Sequence, residues 1–335
     1  MNFTTPCAWV KQQGHSTCCS TFRVCEPNTI FFGEMIMANK KTSMKGLTVE
    51  EREQYKKDFD DKEKFKEHFK KVCEGLRTHL EKRKEVLEKQ EDPAEEIRDW
   101  AWEHCKKAFD DVFNKKKSDE NDDENDIDYL ALHLMCYLGN WGMLRGSSKL
   151  PSCNYKALKP MVREILETGA LLHGKDLKDF SEKDALDDFE SLREKINDHC
   201  KKLLRPEDNN NDVSGTLVSK IMLGTMGFVP AYDKNVKGIL SYLKTHFYKS
   251  VNPVIKHKKE NENWEGVDSR SAFGGNFNKG SVASLACLFA GENDFAKEIR
   301  KITSKIKAIN PCYTLARVVD YAMWYLYDKL PLKEN

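Results

Sequence analysis

One carboxylate stands where an ionised acid can do chemistry. The stretch Leu217-Val-Ser-Lys-Ile-Met-Leu-Gly-Thr-Met-Gly-Phe-Val-Pro-Ala-Tyr-Asp-Lys-Asn-Val is apolar as far as Gly227 and extended ahead of Pro230. It then delivers Asp233 to the mouth of another helix. An Asp in that place caps the helix by accepting backbone N–H groups. The helix dipole also favours its ionised form, so a carboxylate facing a cleft there can stabilise positive charge on a reacting group. Capping is the plainer role, and the spacing leaves both open. Directly afterwards, residues 234–259 carry seven Lys and two His and no acid. Phosphate binding by counterion release needs such a patch. Lys234, Asn235, Lys237, Lys244 and Lys249 are the residues expected to hold a nucleic-acid backbone. A solvated helix face is the alternative. Lys297, Arg300, Lys301, Lys305 and Lys307 form a second basic cluster, opposed only by Glu298.

A second constellation is Trp141-Gly142-Met143-Leu144-Arg145-Gly146-Ser147-Ser148, which ends a very apolar helix. Trp141 offers a stacking plane, Arg145 needs an acceptor, and the glycines allow close backbone approach. With Ser147 and Tyr232 they could line a pocket for an extruded base; a helix end with a buried Arg–carboxylate pair fits equally. Ser147 has no His with a clear partner, so a hydrolase triad is unsupported. Residues 271–281 form a Gly/Asn-rich turn without the spacing of a nucleotide-binding P-loop. The nine His are dispersed, with no metal-ligand spacing and no carboxylate cluster suited to Mg²⁺. No metal or cofactor is expected.

The turn Pro230, Asp233, Val236 resembles the P-x-D-x-x-V turn of the helix-hairpin-helix DNA glycosylase superfamily, with one extra residue between Pro and Asp. The resemblance covers about 30 residues of the 335. It implies an all-α fold and a partner of double-stranded DNA carrying a damaged or modified base. It also implies base excision, with Asp233 facing the oxocarbenium-like sugar. The family's hairpin, L-P-G-V-G, should precede the apolar helix; here that place holds Asp212-Val213-Ser214-Gly215-Thr216. The lysine that some members use for strand cleavage has no counterpart, since Lys220 lies a turn too deep. A monofunctional enzyme is therefore implied. The alternative is a non-catalytic helical protein that binds nucleic acid or an acidic partner, in bacterial stress or phage defence.

The elements that must position these groups read as helices throughout. Thr48-x-x-Glu51 is a capping box. Phe65, Phe69, Val72, Leu76 and Leu80 recur at helical steps. Asp92-Pro93-x-Glu95 starts another helix, burying Ile97, Trp100, Ala101, Cys105, Phe109 and Val112. Residues 127–145 are apolar nearly all round, the mark of a central buried helix. Helices follow from Pro160 to Leu172 and from Ser181, with Leu186, Phe189, Ile196, Cys200 and Leu203 inward. Further helical patterns span 214–226, 234–249, 281–290, 292–309 and 313–329. The last carries Arg317 and Asp320 beside many aromatics and reads mainly as core. No stretch alternates with period two. A single all-α domain of nine to eleven helices over 43–335 follows. The acidic stretch 118–128, with seven acids and no base, is the candidate for an internal seam.

Composition bounds the rest. Charged residues make up 33% and apolar residues 39%, enough for a core under a charged surface. With 55 Lys and Arg against 54 Asp and Glu, bulk charge selects no partner, and any preference must come from local patches. No apolar run reaches about 18 residues, which excludes a membrane span. Four of the 11 Cys (Cys7, Cys18, Cys19, Cys25) crowd into a charge-poor start. Their spacing matches no compact zinc module, and residues 1–42 are expected to be a disordered or non-core leader without a signal peptide. The other seven are scattered with no C-x-x-C pair, several on apolar faces of expected helices such as Cys105, Cys136 and Cys287, usage that fits a reducing cytoplasm.

Overall fold

The computed structural model describes residues 47–89, 101–116, 123–144, 150, 153–204, 213–267 and 271–330. The expected leader, the helix start at Asp92-Pro93, and residues 118–122 of the acidic stretch lie outside the described residues. Eleven α-helices and three 3₁₀ turns run among the described residues, with no strand. The helices are α1 (Val49–Asp60), α2 (Lys62–Lys89), α3 (Ala101–Lys116), α4 (Glu124–Asn140), α5 (Lys159–Thr168) and α6 (Lys183–Leu204). They continue with α7 (Gly215–Thr225), α8 (Lys234–Asn261), α9 (Lys279–Ala290), α10 (Asp294–Ile309) and α11 (Leu315–Tyr327). The fold is all-α, as the absence of period-two patterning predicts. No helix among the described residues is long and apolar enough to cross a membrane.

Local chemistry sets most helix starts. Thr48 and Glu51 complete the capping box at α1. α2 buries Phe65, Phe69, Cys73, Leu76 and Leu80 on one stripe and packs it against α10 and α11. α3 buries Trp102, Cys105, Phe109 and Val112. The Trp102 indole N–H donates to the Leu223 carbonyl at 2.9 Å, tying α3 to α7. α11 is capped twice: Thr314 accepts from Arg317 N, and the Asp176 carboxylate accepts from Leu315 N at 2.9 Å and Ala316 N at 3.2 Å. Burial pushes the Asp176 carboxyl up, and these N–H groups oppose that shift.

Two expectations are corrected. The central helix is not 127–145. α4 leaves Tyr129, Leu132 and Cys136 exposed, whereas every residue of α9 from Gly280 to Phe289 is buried. α9 is rich in Gly, Ser and Ala, and small side chains let neighbouring elements close around it on all sides. α8 does not end near 249 but runs on to Asn261, with Pro253 inside it. Pro253 is exposed, so its ring projects outward and the helix loses one backbone hydrogen bond there rather than ending.

Candidate nucleic-acid interface

Asp233 is presented by a connector held almost wholly by side chains. α7 ends at Thr225, and Gly227, at φ +74°, turns the chain. Residues 228–232 are buried, yet they belong to no helix whose ladder could satisfy their backbone. The partners come from α7 and α11. Thr314 Oγ1 donates to the Gly227 carbonyl. The Ala231 N–H donates to Asp320 Oδ1 at 2.9 Å, and the Tyr232 N–H donates to Ser219 Oγ at 2.8 Å. The Tyr232 carbonyl accepts from Thr216 Oγ1 at 2.8 Å. The next residue, Asp233, is the N-cap of α8. Its Oδ1 accepts from Asn235 N at 3.0 Å and Val236 N at 3.1 Å. The other oxygen makes no hydrogen bond among the described residues, and the side chain is half-buried. Capping thus uses one oxygen and leaves one.

Beneath this cap lies a buried ion pair. Arg317 Nη1 donates to Asp320 Oδ2 at 2.6 Å, and both side chains are under 5% exposed. The Arg317 guanidinium sits 5.0 Å from the Trp102 ring centre and 5.3 Å from that of Trp141, a cation–π arrangement. Burial pushes the Asp320 carboxyl up to about 6; Arg317 opposes the shift and the nearby Asp233 charge adds to it. Asp320 was legible as an acid in an apolar helix, but its bond to the connector was not, because that contact spans 89 residues of sequence.

The basic face of α8 runs outward from Asp233. The helix has 28 residues, a length of about 42 Å at 1.5 Å per residue. Lys234, Lys244, Lys249, Lys256 and Lys259 are exposed. Lys237 is half-exposed, against Gly275 of the loop before α9. None of these six makes an ion pair among the described residues, and Lys244 Nζ lies 6.0 Å from the Tyr248 ring. Elsewhere lysines find carboxylates: Lys64 with Asp58, Lys159 with Glu124 and Asp128, Lys279 with Asp187. The seventh lysine of the segment, Lys258, pairs with Glu262 at 3.2 Å. The second basic cluster is partly neutralised, with Lys297 and Arg300 both near Glu292.

The remaining expected site residues divide. Asn235 lies in the first turn of α8, half-buried. Tyr232 is fully buried, its ring 5.0 Å from Phe277, so it is enclosed by protein rather than open to a base. Burial pushes its hydroxyl up. Trp141 caps the C-terminus of α4, its carbonyl accepting from Lys220 Nζ at 3.1 Å. Its ring has Lys220 Nζ at 5.2 Å in addition to Arg317, so two protein cations already occupy its surroundings. Arg145 and Ser147 lie outside the described residues. The structure therefore brings Asp233, Lys234, Asn235 and Lys237 together at one helix head and sets Trp141 beneath it beside Arg317. No family model, curated protein or solved structure matches the chain.

Proposed function

We propose that the protein binds nucleic acid along the lysine face of α8. The observation that carries this reading is the run of six lysines on one helix with no carboxylate partner among the described residues, in a chain of formal charge +1 whose other lysines are often paired. Leaving so many like charges together on one face costs stability through self-repulsion. Neutralisation by phosphates removes that cost and releases counterions. The experiment is direct titration of fluorescently labelled DNA and RNA at several salt concentrations, with Lys244→Gln and Lys249→Gln together as the variant. Affinity falling steeply with salt, and less steeply in the variant, supports the reading. Salt-independent binding, or none, removes it.

A second reading, base excision from DNA by Asp233, is favoured by one specific observation. The free oxygen of Asp233 stands at the head of the lysine face, on a connector clamped by Asp320, Ser219 and Thr216. A carboxylate so fixed can face the positive charge that develops on a sugar as its base leaves, without reorganising. Asn caps a helix about as well as Asp, so Asp233→Asn isolates the charge. Loss of an electrostatic contribution of about 3–4 kcal/mol corresponds to a drop of roughly two to three orders of magnitude in base release. Abasic-site assays over damaged and naturally modified DNAs, beside a thermal melt, read this out. Base release undiminished in Asp233→Asn takes Asp233 out of the chemistry.

A further inference from the structure

The lysine face does not end alone at Asp233, because α11 runs alongside its first turns and carries aromatic side chains to the same place. Two contacts fix the alignment. Asp320 accepts from Ala231 N, two residues before α8's cap. Seven residues on, the Tyr327 ring lies so close to Gly238 that a Cβ there would stand 2.2 Å from Cε2. On a helix, positions i, i+4 and i+7 share a face. Asp320, Trp324 and Tyr327 therefore line one side of α11, and Trp324 falls level with the first turn of α8, where Lys234 and Lys237 project. Trp324 and Tyr327 are both partly exposed, Tyr327 resting in part against the core, and neither side chain makes a hydrogen bond among the described residues. By this alignment the indole and the phenol ring fall on the α11 side of α8's first turns, where Lys234 and Lys237 have no carboxylate partner among the described residues. Resting on the nucleic-acid reading above, we infer that Trp324 and Tyr327 are a stacking platform for unpaired bases, so that the preferred ligand is a single-stranded stretch of nucleic acid.

The chemistry separates this partner from the alternatives. A fully paired duplex shows phosphates to the lysines but keeps its base faces stacked inside, so the two rings would gain nothing from it. An acidic peptide satisfies the lysines and has no row of flat faces. A single strand supplies both, with its backbone along the lysines and its bases against the rings; aromatic stacking is sequence-tolerant because every base has a π face. Arg317 and Lys220 occupy the surroundings of Trp141, so among the described residues Trp324, partly exposed on α11, is the indole assigned to stacking.

The test compares a labelled single-stranded 20-mer with the duplex of the same sequence at one salt concentration, using wild type, Trp324→Leu, Trp324→Phe and Lys244→Gln/Lys249→Gln. Wild type should bind the single strand more tightly. Trp324→Leu should lose about fivefold or more on the single strand, within the range of one stacked base, and change little on the duplex. Trp324→Phe should recover much of the loss. A melt of each variant guards against misfolding, and Phe serves as the second variant if Leu is unstable. Equal loss on both ligands, duplex preferred by wild type, or no loss in Trp324→Leu overturns the platform. If binding to either ligand is absent, or unaffected by the lysine variant, the nucleic-acid reading itself falls. Lysine-dependent binding with an inert Trp324 leaves that reading standing and removes only this inference.

Discussion

Asp320→Asn keeps the shape of the side chain and an oxygen able to accept from Ala231 N, removes the charge, and puts an NH₂ where the oxygen accepting from Arg317 stood. Arg317 is then left with its guanidinium buried among Trp102 and Trp141 and no carboxylate 2.6 Å away. Breaking a buried pair in this way costs about 3–5 kcal/mol, because the surviving charge stays desolvated. In a protein of this size that is a fall in Tm on the order of 10 °C. Adding Arg317→Met removes the stranded cation and should restore most of the loss, short of the cation–π contribution of about 0.5–2 kcal/mol. The assay is thermal and urea unfolding of wild type, the single variant and the double. A single variant that melts with wild type, or a double no more stable than the single, would refute the claim that Arg317 depends on Asp320.

Further outcomes follow from the same geometry. Asp320 has a folded pKa of about 6, above its ordinary unfolded value of about 3.9. Asp233→Asn removes one of the charges that raise Asp320 and should lower its pKa, visible in a ¹³C carboxyl titration; an unmoved Asp320 would mean that the two carboxylates are uncoupled. Gly238→Ala drives a methyl into the Tyr327 ring and should cost about 1–3 kcal/mol, outweighing the helix-propensity gain of about 1 kcal/mol, as denaturant titration would show. Burial pushes the Cys73 and Cys105 thiols well up and that of Cys200 to about 12. Among the described cysteines, timed alkylation with peptide mapping should label exposed Cys136 first and these three only on unfolding.

The sequence carried the helical class, the α2 stripe, the cap at Thr48 and the position of Asp233 at a helix mouth, because each is written in local periodicity or cap chemistry. It did not carry which apolar helix lies at the centre. Residues 127–145 and α9 are both apolar, and only tertiary packing shows that Tyr129 and Leu132 face outward. An excess of lysine after Asp233 was readable; whether those lysines meet carboxylates was not, since, among the described residues, Lys258 is paired and its neighbours Lys256 and Lys259 are not. Arg317 and Asp320 were visible as charges in an aromatic helix, but the bond to Ala231 and the alignment of Trp324 with α8 depend on how two distant helices meet.

The central claim, that α8 holds a phosphate backbone, is tested most directly by the salt dependence of binding. Lys234, Lys237 and Lys244 are replaced together by Gln, and the slope of log affinity against log salt is compared with wild type on one labelled DNA. Each lost phosphate contact should lower the slope by about 0.9 on duplex and about 0.7 on single strand, so the triple variant should fall by roughly 2–3 with its melt unchanged. An unchanged slope in a folded triple variant would contradict the account and place the contact surface elsewhere.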